Sequence, residues 1–367
     1  MASAPRRVTG FHPLRVTAVD KITDDAVAIS LDVPAELADT FAHRPGQHIG
    51  VRHLLGGPGG KEIRRTYSIC TPPPPTPDAG LRIVVKRLGY GGFAEYAMTG
   101  LAAGDTLDVT PPGGGFRLAE HRGAHHVLVA GGSGITPLLT MAAAALRDDP
   151  TCRVSLVYAN RTSMSVLLAD ELGDLKDAHV DRFFVLHVLS QETQGATLLS
   201  GRIDHERLPS LLQLLGAQPD DGTYFYLCGP WGLVEAARTT LTEWGAEPAR
   251  IRRELFTAEG GTGTPPAADR TAPSTHARVS ARLGGRTTVI AMEPGDSVIL
   301  DAVLRVRPET PYSCRDGLCG TCRAKVLDGS VRMDRQYALD QEELTKGYTL
   351  ACRARAASAE VELDFDA

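Results

Sequence analysis

The chain has 367 residues, room for two or three domains at about 100–200 residues each. Its 43% hydrophobic and 23% charged content suits soluble globular units with proper cores. A net charge of −5 with no Lys/Arg-rich run argues against a nucleic-acid binder, and no apolar run approaches the roughly 20 residues that span a bilayer.

Residues 1–9 read as a disordered start without a signal peptide, which predicts a reducing cytoplasm. From Phe11, short β-rich runs follow at 14–19, 26–33, 48–51, 65–69, 81–86 and 106–109. They are punctuated by Pro45-Gly46, by Gly56-Gly57-Pro58-Gly59-Gly60 and by the proline run 72–75. Short strands at this spacing predict a small antiparallel barrel over 10–118, with one helix at 93–98.

Within that barrel, Arg65-Thr66-Tyr67-Ser68 sets a flat aromatic face between a guanidinium fork and a hydroxyl. That combination suits a flavin ring and its pyrophosphate; an ordinary amphipathic strand explains the same four residues. Val84, Val85 and Lys86, then Gly91-Gly92-Phe93-Ala94 opening a helix, add a candidate phosphate cradle. A plain hairpin turn would also use those glycines.

The pattern changes at His121. His126-Val127-Leu128-Val129-Ala130 is a continuous apolar run of the buried parallel-strand type. Strand runs at 153–158, 183–189 and 224–228 then alternate with helical patterns at 137–146, 165–175, 204–215 and 231–244, which predicts an α/β doubly wound sheet over 121–256. Gly131-Gly132-Ser133-Gly134-Ile135-Thr136-Pro137 links the first strand to the first helix, where backbone N–H groups favour a pyrophosphate. The string is not G-x-G-x-x-G, so the context carries the reading. Cys228-Gly229-Pro230 ends the next-to-last strand, where ligands of open α/β sheets collect; a buried structural cysteine is the plainer alternative. For a nucleotide 2′-phosphate, Arg161 and Arg202 are the candidates, and both also fit as surface arginines.

Residues 257–273 carry almost no large apolar side chain and read as a linker. The last unit, 274–367, holds Cys314, Cys319 and Cys322 at C-x4-C-x2-C spacing, with Cys352 downstream. That is the thiolate set of plant-type [2Fe–2S] sites. Structural zinc usually takes paired C-x2-C knuckles, and only one half has that spacing; a disulfide pair is the other rival. Cys70, Cys152 and Cys228 stand outside this set as reduced, buried thiols.

In this order, R-x-Y-S, G-G-S-G-I-T-P, C-G-P and the C-terminal cysteine loop resemble the ferredoxin–NADP⁺ reductase superfamily. More narrowly, the chain is similar to the reductase components of multicomponent oxygenases whose ferredoxin domain is C-terminal. Phe11-His12-Pro13-Leu14, Arg44-Pro45-Gly46-Gln47-His48, Ser190-Gln191-Glu192-Thr193, Gly201-Arg202-Ile203-Asp204 and the ending Val361-Glu362-Leu363-Asp364-Phe365-Asp366-Ala367 look most like the reductase subunits of phenylacetyl-CoA epoxidases. Steroid-ring hydroxylase reductases share the domain order.

The resemblance implies an α+β, β-grasp-like ferredoxin domain. It implies FAD at Arg65, Thr66, Tyr67, Ser68, Val84, Val85, Lys86, Gly91, Gly92 and Phe93, with Ser68 near flavin N5. Ala94 stands where family members often have Ser or Thr. The nicotinamide dinucleotide, NADPH before NADH, would meet Gly132, Ser133, Gly134, Thr136, Pro137, Arg161, Arg202, Cys228, Gly229 and Pro230. Ser68, Cys228, Glu254 and Phe256 would form the reacting centre, although Phe256 fits equally as a core aromatic. Electrons would pass from NADPH through FAD, which converts a two-electron donor into one-electron steps, to the cluster and on to an oxygenase. The partner would be a ring epoxidase or a Rieske-type hydroxylase, with the linker letting the ferredoxin domain dock first on the flavin and then on that partner. A non-catalytic iron–sulfur redox sensor is the reading from another class.

Overall fold

The computed structural model describes residues 10–57, 60–71, 80–88, 92–193, 195–257, 277–333 and 335–367. The start 1–9, the proline run 72–75, Gly91 and the linker from residue 258 onward lie outside the described residues.

Six strands build the first unit: β1 (His12–Thr23), β2 (Ala26–Leu31), β3 (His48–Leu55), β4 (Lys61–Ser68), β5 (Leu81–Lys86) and β6 (Thr106–Val109). The sheet order is β4-β3-β6-β1-β2-β5 with antiparallel pairs, and an Ile69–Ile83 bridge joins its two edges. Alternation sorts the side chains of β2 to two destinations. Val27, Ile29 and Leu31 enter the barrel core, while Ala26 and Ala28 face out into the core shared with the next unit. Alanines there let a second unit pack closely. Helix α1 (Ala38–Phe41) and helix α2 (Gly92–Thr99) complete the barrel.

The second unit has five parallel strands in the order β11-β10-β7-β8-β9. They are β7 (His125–Gly131), β8 (Arg153–Asn160), β9 (Phe183–Leu189), β10 (Thr223–Pro230) and β11 (Ile251–Thr257). Leu128 and Ala130 of β7 face one helical layer, Val127 and Val129 the other. The sheet is therefore covered on both faces, as its uninterrupted apolar run requires. The helices are α3 (Ile135–Asp148), α4 (Ala169–Ala178), α5 (Arg207–Leu214) and α6 (Trp231–Glu243). Two of them start later than periodicity predicts. Thr162 and Ser165 close a short 3₁₀ turn with reciprocal side-chain bonds, and Leu168 sits at φ 56°, so α4 begins only at Ala169. Asp204 accepts from the Arg207 N–H at 2.9 Å and marks the start of α5.

The third unit is a mixed sheet in the order β13-β12-β16-β14-β15. Its strands are β12 (Arg278–Leu283), β13 (Arg286–Ala291), β14 (Arg323–Met333), β15 (Tyr348–Leu350) and β16 (Ala354–Asp364). Only β12–β16 among these pairs is parallel. Helix α7 (Ile299–Val306) buries Ile299, Leu300, Ala302 and Val303 against the sheet, and the short α8 (Gln341–Thr345) starts on a capping box from Asp340 to Glu343.

Candidate electron-transfer site

Strand β4 carries Arg65-Thr66-Tyr67-Ser68 and pairs with β3 so that Ser68 lies opposite His48. Tyr67 leans on Phe93 with centroids 5.7 Å apart. Phe93 itself is buried in the barrel core, so it supports Tyr67 from within rather than lining a cleft. Exposed Arg65 donates through Nη1 to the Arg64 carbonyl at 2.8 Å. Val85 also points into the barrel core, while Val84 faces the nucleotide unit. Lys86 lies 3.5 Å from Asp25 in the β1–β2 turn.

Ser68 Oγ donates to Glu254 Oε2 across 3.4 Å, and His48 Nδ1 sits 3.6 Å from Glu254 Oε1. Burial drives the His48 pKa down, but the hydrogen bond and charge of Glu254, helped by Cys319, outweigh it and hold it above the ordinary histidine value. Pairing of β10 with β11 sets Cys228 directly opposite Glu254. Burial foremost, and Glu254 next, push the Cys228 thiol well up, so it stays protonated. Phe256 is half-buried against the same core as Cys228. Sequence reasoning gave His48 no role. A lone histidine has no spacing rule, and its partner lies far along the chain.

The turn after β7 is held by contact rather than by a fingerprint. A Cβ on Gly134 would stand 2.1 Å from the Cys228 carbonyl oxygen, and one on Gly131 2.6 Å from Leu233. The loops 131–134 and 228–230 therefore approach each other too closely for a side chain at Gly131, Gly134 or Gly229. Thr136 Oγ1 donates to the Ser133 carbonyl at 3.0 Å, and Pro137 is buried in the first turn of α3. Pro230 precedes the first residue of α6. Arg161 follows the end of β8, 65% exposed and 3.8 Å from Asp25. Arg202 follows Gly201, whose N–H donates to the last carbonyl of β9 at 2.9 Å. Both arginines thus stand at the carboxyl edge of neighbouring strands. The Gln191 N–H donates to the Arg161 carbonyl at 2.8 Å and Glu192 accepts from the Ser163 N–H at 2.8 Å, which gives the Ser190-Gln191-Glu192-Thr193 stretch a structural task.

The four C-terminal cysteines converge as two pairs. Cys314 and Cys319 act on each other, lowering the Cys319 thiol and raising that of Cys314; Cys322 and Cys352 do the same, with Cys352 lowered. Backbone N–H groups of Asp316 and Leu318 each point at Cys314 Sγ across 3.4 Å. Gly317 turns the loop at φ 74°, and a Cβ there would press on Gln336 Cα at 3.2 Å. Two thiol pairs suit two irons with two thiolates each. None of the seven cysteines is in a disulfide.

A Cβ on Gly92 or Gly132 would meet nothing within 4 Å, so both turns border open space, and Ser68 and Glu254 bring a hydroxyl and a carboxylate to one point. The three units meet there: Thr66 touches Ser313 at 2.6 Å, Cys319 acts on His48, and Leu318 and Tyr337 pack on the nucleotide unit.

Barrel, parallel sheet and thiol loop together define an NAD(P)H oxidoreductase of the flavin and iron–sulfur class. Residues 13–118 match the oxidoreductase FAD-binding domain family, 128–239 the oxidoreductase NAD-binding domain family and 281–357 the 2Fe-2S iron-sulfur cluster binding domain family. The chain belongs to the ferredoxin–NADP⁺ reductase superfamily, with a C-terminal [2Fe–2S] domain. It is 37% identical to a component of the 1,2-phenylacetyl-CoA epoxidase of Escherichia coli, over 98% of this chain and 99% of that one. It is 32% identical to the ferredoxin reductase component of 3-ketosteroid-9-alpha-monooxygenase of Rhodococcus rhodochrous over 96% of each. Phthalate dioxygenase reductase shares the fold, with a TM-score of 0.59 at 24% identity over 97% of this chain and 98% of that one. The protein is a reductase using FAD, a [2Fe–2S] cluster and NAD(P)H, not a passive sensor. Among the described residues no helix is long and apolar enough to cross a membrane.

Proposed function

We propose that this reductase supplies electrons from NADPH to the oxygenase of a complex that epoxidises the ring of phenylacetyl-CoA, in the cytoplasm. The observation that carries the reading is the meeting of Ser68, Glu254, Cys228 and the Cys319 loop at one junction, in a chain alike over its whole length to an epoxidase component. Bound FAD supplies the conversion of a two-electron donor into one-electron steps.

The residues have separable tasks in this reading. Tyr67, braced by Phe93, offers its face to the flavin ring, while Arg65, Gly91 and Gly92 take the pyrophosphate. Val84 lines the ring edge. Ser68 places its hydroxyl at flavin N5, and Glu254 orients that hydroxyl through one oxygen while His48 holds the other. The turn 132–134, with Thr136 and Pro137 behind it, receives the dinucleotide pyrophosphate, and the loop 228–230 borders the nicotinamide. Arg161 and Arg202 meet the 2′-phosphate, which favours NADPH over NADH. Phe256 closes the cleft. Cys314 and Cys319 take one iron, Cys322 and Cys352 the other.

Anaerobic titration with NADPH and separately NADH, followed in the visible spectrum, tests the electron path. Flavin bands bleaching first and cluster bands second, with NADPH effective at lower concentration, is the expected result. Absence of any bleaching defeats the reductase reading. Reconstitution with a phenylacetyl-CoA epoxidase oxygenase against a 3-ketosteroid hydroxylase then tests the partner, and turnover only with the hydroxylase defeats the epoxidase assignment. The similarity to the steroid-type reductase makes that the second reading.

A further inference from the structure

Arg64 lies one residue before the Arg65-Thr66-Tyr67-Ser68 run, and its side chain is only 6% exposed. A guanidinium so deeply buried is stable only where its donors are met. Nε donates to Glu62 Oε1 on the same strand at 2.8 Å. The other two nitrogens leave the barrel altogether. Nη1 donates to the Thr310 carbonyl at 3.3 Å and Nη2 to the Pro308 carbonyl at 3.4 Å, both in the iron–sulfur unit. The same guanidinium lies 4.1 Å from the Tyr312 ring centroid and 4.9 Å from that of Phe11. Two residues along β4, Thr66 Oγ1 donates to Ser313 Oγ at 2.6 Å. Residues 308–313 run directly into Cys314, so the barrel grips the thiol loop by its leading segment.

We propose that Arg64 is the latch that seats the cluster-bearing unit on the flavin barrel, a positioning residue for electron transfer between flavin and cluster. The proposal rests on the reductase reading above. Arginine suits the task, because one planar group reaches two carbonyls while lying against an aromatic ring; a lysine ammonium on a flexible stem loses one or the other. The contact is also built to come apart. It is made of polar and aromatic contacts, while the cores of barrel and iron–sulfur unit stay separate. When it opens, donors and carbonyls pass into water, which replaces most of what is lost. Because β4 also carries the run assigned to the flavin, the strand that holds one cofactor holds the other's carrier at a fixed separation. Electron transfer falls steeply with separation, so this contact sets its rate. Over a full cycle one NADPH becomes NADP⁺ and a proton, and two one-electron acceptors are each reduced by one electron.

The test uses the full chain loaded with FAD and cluster, as wild type, Arg64→Ala, Arg64→Lys and Tyr312→Leu. Ferricyanide draws electrons from the flavin directly, whereas cytochrome c receives them through the cluster. Arg64→Ala and Tyr312→Leu are expected to keep NADPH–ferricyanide kcat within twofold and to lose tenfold or more in cytochrome c kcat. In stopped flow, flavin bleaching should keep its rate while cluster bleaching slows, and Arg64→Lys should recover only part. Small-angle scattering should show a larger radius of gyration for Arg64→Ala. Cytochrome c reduction within twofold of wild type in Arg64→Ala overturns the latch. So does parallel loss of both activities in Arg64→Ala and Tyr312→Leu, which would make these residues props of the fold. A wild type that reduces neither acceptor defeats the reductase reading itself, a distinct result.

Discussion

Glu254 joins two strands of one unit to two side chains of another: Ser68 at one oxygen, His48 at the other, Cys228 across the β10–β11 ladder. Replacing it by Gln keeps the shape and removes the charge. Glu254→Gln and Ser68→Ala should each slow NADPH-driven flavin bleaching by roughly 10²-fold, as loss of one preorganised hydrogen bond does, with FAD still bound. A rate unchanged in both variants would leave the pair a structural tie. Cys319→Ser should abolish the cluster absorption and cytochrome c reduction yet spare the ferricyanide reaction, which iron and sulfide assay plus the two activities would check. The cluster ligands were legible because three of the four sit within one short string whose spacing the chemistry dictates. His48, Arg64 and Tyr312 were not, since each acquires its meaning from a residue of a different unit.

Among the elements, the turn after β7 shows why the ordinary glycine fingerprint is absent. Gly134 has an unexceptional φ of −62°, so what it supplies is space: any side chain there collides with the Cys228 carbonyl. Gly134→Ala should therefore push the 131–134 and 228–230 loops apart, raise the KM for NADPH and destabilise the protein by about 1–3 kcal/mol, the usual cost of overpacking. Normal KM and thermal stability in that variant would refute the steric account. The strands were readable from apolar runs because packing on two faces leaves no room for polar residues. The starts of α4 and α5 were misplaced because Thr162, Ser165 and Asp204 turn backbone donors toward their own side chains, which periodicity cannot register.

For the whole molecule, stability should fall on mild acidification. Burial, foremost, holds both His125 and His126 down to about 4. Between that value and the unfolded histidine value near 6.5, the unfolded chain binds more protons than the folded one. Unfolding free energy thus rises with pH across roughly pH 4–6.5, by at most about 1.4 kcal/mol per pH unit for each histidine. A melting-temperature series over this range should show the slope, and His126→Gln should reduce it; an unchanged slope would assign the acid sensitivity elsewhere. Barrel and nucleotide unit are meanwhile tied at Arg82–Glu171, at 2.5 Å, and by Thr140 Oγ1 to the Ile69 carbonyl at 2.9 Å. Shortening the 257–273 segment should slow delivery to the oxygenase and spare flavin reduction, and equal loss of both would contradict a docking role for the iron–sulfur unit.

Cys322 and Cys352 are themselves members of the apolar core of the third unit, 3% and 4% exposed. Their sulfurs lie at the two ends of a segment that includes β14 and β15. A metal centre held there closes that loop, as a cross-link would, and biogenesis becomes part of folding. Newly made chains should mature in two stages: protease-resistant flavin and nucleotide units first, then a C-terminal iron–sulfur unit that resists cleavage only after iron and sulfide arrive.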